Sequence, residues 1–200
     1  MRIINAMVQG LASAGVHPNI LTAIGVCINI GCGVLFGMGE FFWAGIVLIV
    51  ANLFDMLDGN VARLSGNVTK FGGFLDSTLD RLSDMVSFFG IMVFYAGNSP
   101  QHSLLNVILA GTGMIASVMV SYATARSESL GVKANVGFLQ RPERIVLLII
   151  GALSTHWSSD SIWVNRMPQV LWVLAVGSIW TFLHRMYFIW REFRKLEGRA

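Results

Sequence analysis

The chain has 200 residues, 54% of them hydrophobic and 12% charged, and its mean hydropathy is +0.65. Soluble domains carry about 25% charged residues, so this composition excludes an ordinary water-soluble fold and indicates lipid as the solvent. The net charge of +3 does not indicate nucleic acid as a partner, because the basic residues follow a membrane topology.

In residues 1–17, Ile3, Ile4, Met7, Val8 and Leu11 recur near helical spacing, with Asn5, Gln9, Gly10 and Gly15 between them. That pattern predicts an amphipathic juxtamembrane helix lying on the bilayer. A cleaved signal peptide is the rival reading, since Ala12-Ser13-Ala14 resembles a cleavage site. The broken apolar run and the span that follows at once weigh against it.

A membrane helix needs about 20 mostly apolar residues. Six stretches qualify, at 20–38, 41–63, 73–97, 103–126, 143–158 and 168–190. The fifth is short, and its helix is expected to start near Leu139, with Pro142 tolerated in the first turn. Turn residues mark the breaks: Gly37 and Gly39, then Gly66, Asn67 and Gly72, then Gly97 to Pro100, then a longer polar loop from Gly131 to Pro142. The expected fold is an all-α integral membrane protein: six transmembrane helices and the N-terminal surface helix, one domain over 1–200.

With the N-terminus cytoplasmic, 13 of the 14 Lys and Arg fall on the cytoplasmic side, and only Arg166 lies opposite. This positive-inside bias places both termini in the cytoplasm. Cys27 and Cys32 have no zinc or redox spacing, and His17, His102, His156 and His184 have no metal-ligand spacing. Gly33 and Gly37 form a GxxxG pair, a helix-contact pattern that carries little weight in a chain with 21 glycines.

Five of the eleven acidic residues lie between positions 55 and 84. Asp55 and Asp58 are i, i+3 and share one helix face; Asp76 and Asp80 are i, i+4 and share a face of the next helix. The short loop makes the two helices antiparallel neighbours, so the four carboxylates meet near one end. Ionised carboxylates at membrane depth are costly unless paired, hydrated or metal-bound. All-oxygen ligands suit Mg²⁺ or Mn²⁺ rather than zinc. Gly59, Ala62 and Gly72 leave room for a ligand, and Arg63 is placed to meet phosphate. Two other readings stay open at this point. One is a set of buried salt bridges with Arg63 and Arg81 as partners. The other is a small cation or proton transporter using the aspartates, although such folds usually show repeated halves. Asp84 continues the Asp76/Asp80 face and reads as a salt-bridge residue rather than a ligand.

Asp55-Met-Leu-Asp58-Gly59-Asn-Val-Ala62-Arg63, then eight residues, then Gly72-x3-Asp76-x3-Asp80 resembles the motif of the CDP-alcohol phosphatidyltransferases at every defined position. The resemblance implies that Asp55, Asp58, Asp76 and Asp80 hold two divalent ions, and that Asp80 is the general base for the acceptor hydroxyl. Asn19, Thr22, Gly59, Arg63, Thr69 and Gly72 would bind the CDP-lipid, CDP-diacylglycerol; Asn19 and Thr22 belong to Pro18-Asn19-Ile20-Leu21-Thr22, similar to the family's P-N-x-L-T. A homodimer is implied as well.

Arg126, Arg141, Arg144 and Arg185 fall at predicted cytoplasmic helix ends, where one open reading is that they are positive-inside residues contacting lipid headgroups. Arg141-Pro142-Glu143-Arg144 and the Arg185 context resemble the subclass that makes phosphatidylinositol phosphate from inositol phosphate, which implies that these arginines hold the acceptor's phosphate. The chain departs from that subclass near Thr124, where relatives carry a lysine. Glycerol 3-phosphate is the second acceptor expected. The resemblance thus implies a multi-pass cell-membrane enzyme that releases CMP on its cytoplasmic side. A catalytically idle scaffold is disfavoured by the intact aspartate set.

Overall fold

The computed structural model describes residues 8–10, 13, 18–66, 68–98, 100–134, 136–155 and 166–198. Among them are six long helices: α1 (Pro18–Met38), α2 (Phe41–Leu64), α3 (Lys70–Ala96), α4 (Leu104–Ser129), α5 (Arg141–Leu153) and α6 (Met167–Glu197). Most of the expected surface helix, 1–17, lies outside the described residues. Of it, Val8 to Gly10 and Ser13 are helical, and Val8 is buried with Leu21, Leu57 and Val61.

The sequence accounts for the helix limits. Gly39 at φ 86° turns the chain between α1 and α2, a conformation costly for any residue with a Cβ. The α3 helix starts earlier than hydropathy predicts because Thr69 caps it, accepting a hydrogen bond from the Gly72 N–H at 2.9 Å. Ser103 caps α4 through the N–H of Asn106. Pro142 sits in the first turn of α5, as expected. The α6 helix continues past the apolar stretch to Glu197, carrying Arg191, Arg194 and Lys195 beyond it.

Helices α1, α2, α4 and α6 contain stretches long and apolar enough to cross a membrane, and the chain is a multi-pass membrane protein. The α3 helix has 27 residues but carries Asp76, Asp80, Arg81 and Asp84 along its first half, so it fails on charge and not on length. The α5 helix differs from its predicted limits of 143–158. Its 13 residues span only about 20 Å, less than the hydrocarbon core of about 30 Å.

Each helix packs on two others, in the cyclic order α1, α2, α5, α6, α4, α3. Inside this ring, Phe36, Phe41, Phe88, Ile91, Tyr95, Leu139, Met167, Leu171 and Leu174 form the main apolar core. Outside it, large apolar side chains such as Ile30, Trp43, Phe89, Ile115, Val176 and Trp180 are exposed, which lipid tolerates and water does not. Helix α1 crosses α3 closely. A Cβ on Gly90 would lie 2.1 Å from the Gly33 carbonyl oxygen, and one on Gly37 would meet Gly90 at 3.7 Å. The GxxxG pair therefore lies on a real helix contact, of the small-residue kind found in membranes.

The segment between α4 and α5 is tied down on α6. Leu139 N–H donates to Thr181 Oγ1 at 3.0 Å. Arg185 donates to the Val136 carbonyl through Nε at 2.9 Å and Nη2 at 2.7 Å. Gly137 lies between these anchors at φ 131°, where a Cβ would meet Thr181 Cγ2 at 2.4 Å. These contacts bring the start of α5 to the end of the ring that carries the aspartates.

Candidate active site

The α2 and α3 helices are not the packed neighbours that their short loop predicts: both lie against α1, with α5 beside α2 and α4 beside α3, and the loop brings their acidic halves to one end of the ring. Asp55, Asp76 and Asp80 each offer a carboxylate oxygen, all within 4.8 Å of one another. Asp58, one turn from Asp55, is buried and accepts a hydrogen bond from Thr22 Oγ1 at 2.7 Å. It lines one crevice with Asp55 and Asp80 and a neighbouring cleft with Asp76.

That cleft has a volume of about 230 Å³ and is lined by Thr22, Asp58, Gly59, Ala62, Arg63, Thr69, Gly72 and Asp76, among others. Thr22, Gly59, Arg63, Thr69 and Gly72, which the motif resemblance groups as lipid-nucleotide contacts, thus share one wall-to-wall space. The side chain of Asn19 lies outside the described residues.

The counter-charges do not come from Arg63 and Arg81, the partners that a salt-bridge reading of the sequence names. Arg81 turns back to the Ser77 carbonyl of its own helix, and Arg63 lines the cleft. Arg141 takes that place instead. Its Nη1 lies 3.1 Å from Asp55 Oδ2 and 2.8 Å from Asp80 Oδ2, and its Nε 3.5 Å from Asp84 Oδ1. Arg144 Nη2 lies 3.5 Å from Asp84 Oδ2. Sequence proximity misleads here because α5 is carried to the carboxylates by the anchored 131–140 segment.

The four arginines expected to hold acceptor phosphate have different surroundings. Arg141 is partly exposed beside the carboxylates. Arg144 is buried and donates to the Leu139 carbonyl at 3.2 Å. Arg185 is also buried, and besides Val136 it donates to the Val120 carbonyl at 3.2 Å and to the Thr124 hydroxyl. Arg126 is exposed in the last turn of α4 and shares none of these contacts. Ser117, which no motif marks, donates to Asp84 Oδ2 at 3.5 Å.

The donor set fits a hard divalent cation. Three converging carboxylates supply oxygen only, and a guanidinium, itself a cation, already sits between Asp55 and Asp80. Beside them lies a cleft with glycine walls and an arginine, suited to a phosphate-bearing ligand.

A family model for CDP-alcohol phosphatidyltransferases matches residues 15–191. The chain belongs to the CDP-alcohol phosphatidyltransferase family. It is a phosphatidyltransferase of phospholipid biosynthesis, which decides against the transporter reading. The phosphatidyltransferase is 35% identical over 190 residues to the phosphatidylinositol phosphate synthase of Mycobacterium marinum, covering 94% of this chain and 80% of that protein. It is 35% identical over 198 residues to the enzyme of that name from Streptomyces avermitilis, covering 96% and 79%. The crystal structure of Mycobacterium tuberculosis phosphatidylinositol phosphate synthase with CDP-DAG bound superposes with a TM-score of 0.85 at 34% identity, covering 95% of this chain and 94% of that one. The same mycobacterial enzyme in complex with manganese and citrate superposes at 0.83 with 33% identity, covering 94% and 88%. The manganese complex and the aspartate cluster together support use of a divalent metal by the phosphatidyltransferase.

Proposed function

We propose that the enzyme moves the phosphatidyl group of CDP-diacylglycerol to a phosphorylated polyol, inositol phosphate first and glycerol 3-phosphate second, and releases CMP. The observation that carries this reading is the pair Arg141 and Arg144 on the first turn of α5, with Arg141 Nη1 2.8 Å from Asp80 Oδ2. A neutral acceptor has no need of two guanidiniums beside the reacting carboxylates, whereas a phosphate ester matches their forked donors.

In the reaction, an acceptor hydroxyl oxygen forms a bond to the lipid-side phosphorus, and the bond from that phosphorus to the CMP oxygen breaks. Asp80 takes the hydroxyl proton as general base. Thr22, Gly59, Arg63, Thr69 and Gly72 hold the CDP end in the cleft, and the motif resemblance assigns Asn19 to the same task. Arg126, Arg141, Arg144 and Arg185 serve the acceptor phosphate. Two divalent ions, Mg²⁺ or Mn²⁺, held by Asp55, Asp58, Asp76 and Asp80, would neutralise charge on the diphosphate. The chain acts as a single domain of six spans, the short α5 accommodated by local thinning of the bilayer, and as a homodimer, with its active site and both termini cytoplasmic.

Purified protein incubated with CDP-diacylglycerol, Mg²⁺ and a panel of acceptors tests the reading through CMP release. Inositol phosphate is expected to give the fastest turnover. Faster turnover with free inositol or serine than with either phosphate ester would overturn the acceptor and leave the enzyme class standing.

A further inference from the structure

Arg141 and Arg144 occupy the first turn of α5 at i, i+3, on one helix face. Electrostatics opposes both. A helix N-terminus carries partial positive charge and favours anions, and the two guanidiniums repel each other. Arg144 has the poorer surroundings. Its side chain is only 3% exposed, and its buried Nε has no hydrogen-bond partner among the described residues.

One carboxylate reaches both arginines. Asp84 directs Oδ1 to Arg141 Nε and Oδ2 to Arg144 Nη2, each at 3.5 Å, and its side chain is 14% exposed. Oδ2 also accepts from Ser117 Oγ on α4. Asp84 therefore ties α3, α4 and α5 together. It lies one turn beyond Asp80 and outside the D-x2-D…D-x3-D pattern. The contact is also selective in direction. Asp84 meets Arg141 at Nε, leaving Nη1 to face Asp55 and Asp80.

We infer that Asp84 is a positioning residue for acceptor recognition. It holds the two guanidiniums apart on one face of α5 and aims them at the acceptor phosphate, given the role proposed above for both arginines. It does not touch the CDP-lipid cleft, whose lining does not include it.

The test is steady-state kinetics of the full chain with CDP-diacylglycerol and inositol phosphate. Arg144→Gln comes first. An unchanged acceptor KM in that variant refutes the acceptor role of the arginine, and the positioning role falls with it. With that KM raised, Asp84→Asn decides the positioning role alone. Loss of its charge should raise the acceptor KM roughly tenfold and leave the KM for CDP-diacylglycerol within about twofold. Asp84→Glu, which keeps the charge, should recover most of the loss. The double variant Asp84→Asn/Arg144→Gln should be no worse than the worse single variant, because the two changes disrupt one unit. An unchanged acceptor KM in Asp84→Asn overturns the inference, as does an equal rise in both KM values or additivity in the double variant. If Asp84→Asn does not fold, Ser117→Ala replaces it: a smaller rise in acceptor KM alone is expected, and no rise overturns the inference.

Discussion

Arg141 Nη1 lies 2.8 Å from Asp80 Oδ2, joining the first turn of α5 to the last aspartate of the family motif. They stand 61 positions apart in the chain, and the start of α5 is held in place by Thr181 and Arg185 of α6, which bond to Leu139 and Val136 just before it. The proposed base and a proposed acceptor ligand therefore come from helices that pack on different neighbours. In the proposed reaction, the group that holds the acceptor and the group that takes its proton thus lie within one hydrogen-bond length of each other.

Asp80→Asn keeps the side chain's size and removes its basic oxygen. Turnover is expected to fall roughly 10²-fold or more, the usual scale of a general-base contribution. Binding of CDP-diacylglycerol should survive better, because Asp80 does not line the cleft around Thr22 and Arg63. Single-turnover CMP release separates the two effects. Near-normal turnover removes Asp80 from the base role.

Asp55, Asp76 and Asp80 bring oxygens within 4.8 Å of one another. Thorough chelation should abolish CMP release, and Mg²⁺ or Mn²⁺ should restore it. Asp76→Asn should weaken Mn²⁺ binding by at least the roughly 10–100-fold that loss of an outer partner costs, as titration calorimetry would measure without substrate. Activity that survives chelation contradicts the metal role.

Gly90→Ala would place a Cβ 2.1 Å from the Gly33 carbonyl oxygen, a backbone atom that cannot swing aside. Helices α1 and α3 must then separate, at a cost of about 1–3 kcal/mol. Gly31→Ala, on the same α1 helix but beside open space, should be neutral or slightly stabilising. Thermal unfolding in detergent compares the two. Equal midpoints would show that the Gly33–Gly90 crossing does not limit stability.

Thirteen of the 14 Lys and Arg fall on one side of the six-span layout. Reporter fusions at the C-terminus and at Asp160 should accordingly report opposite sides of the membrane. The same side for both would eliminate that layout.

Much of the site is legible in the chain without coordinates. Asp55 and Asp58 at i, i+3, and Asp76 and Asp80 at i, i+4, each share a face of their own helix, and the short loop keeps both pairs at one end of the molecule, whereas the packing of α2 and α3 on α1, rather than on each other, decides how closely the carboxylates meet. Apolar length alone locates α1, α2, α4 and α6, since the bilayer sets the span a helix must cover. The start of α5 follows from Pro142 in its first turn, whereas α3 begins at Lys70 rather than at 73 because Thr69 caps it, which apolar length does not register. Other features exist only in the folded ring. Arg141, and not Arg63 or Arg81, neutralises Asp55 and Asp80, although Arg63 is far nearer in sequence. The shared role of Asp84, the Gly33–Gly90 approach and the commitment of Arg185 to Val136 and Val120 also depend on which helices become neighbours. Periodicity acts within one helix and its short loops, whereas pairing between α3 and α5 is set by the packing of the whole ring.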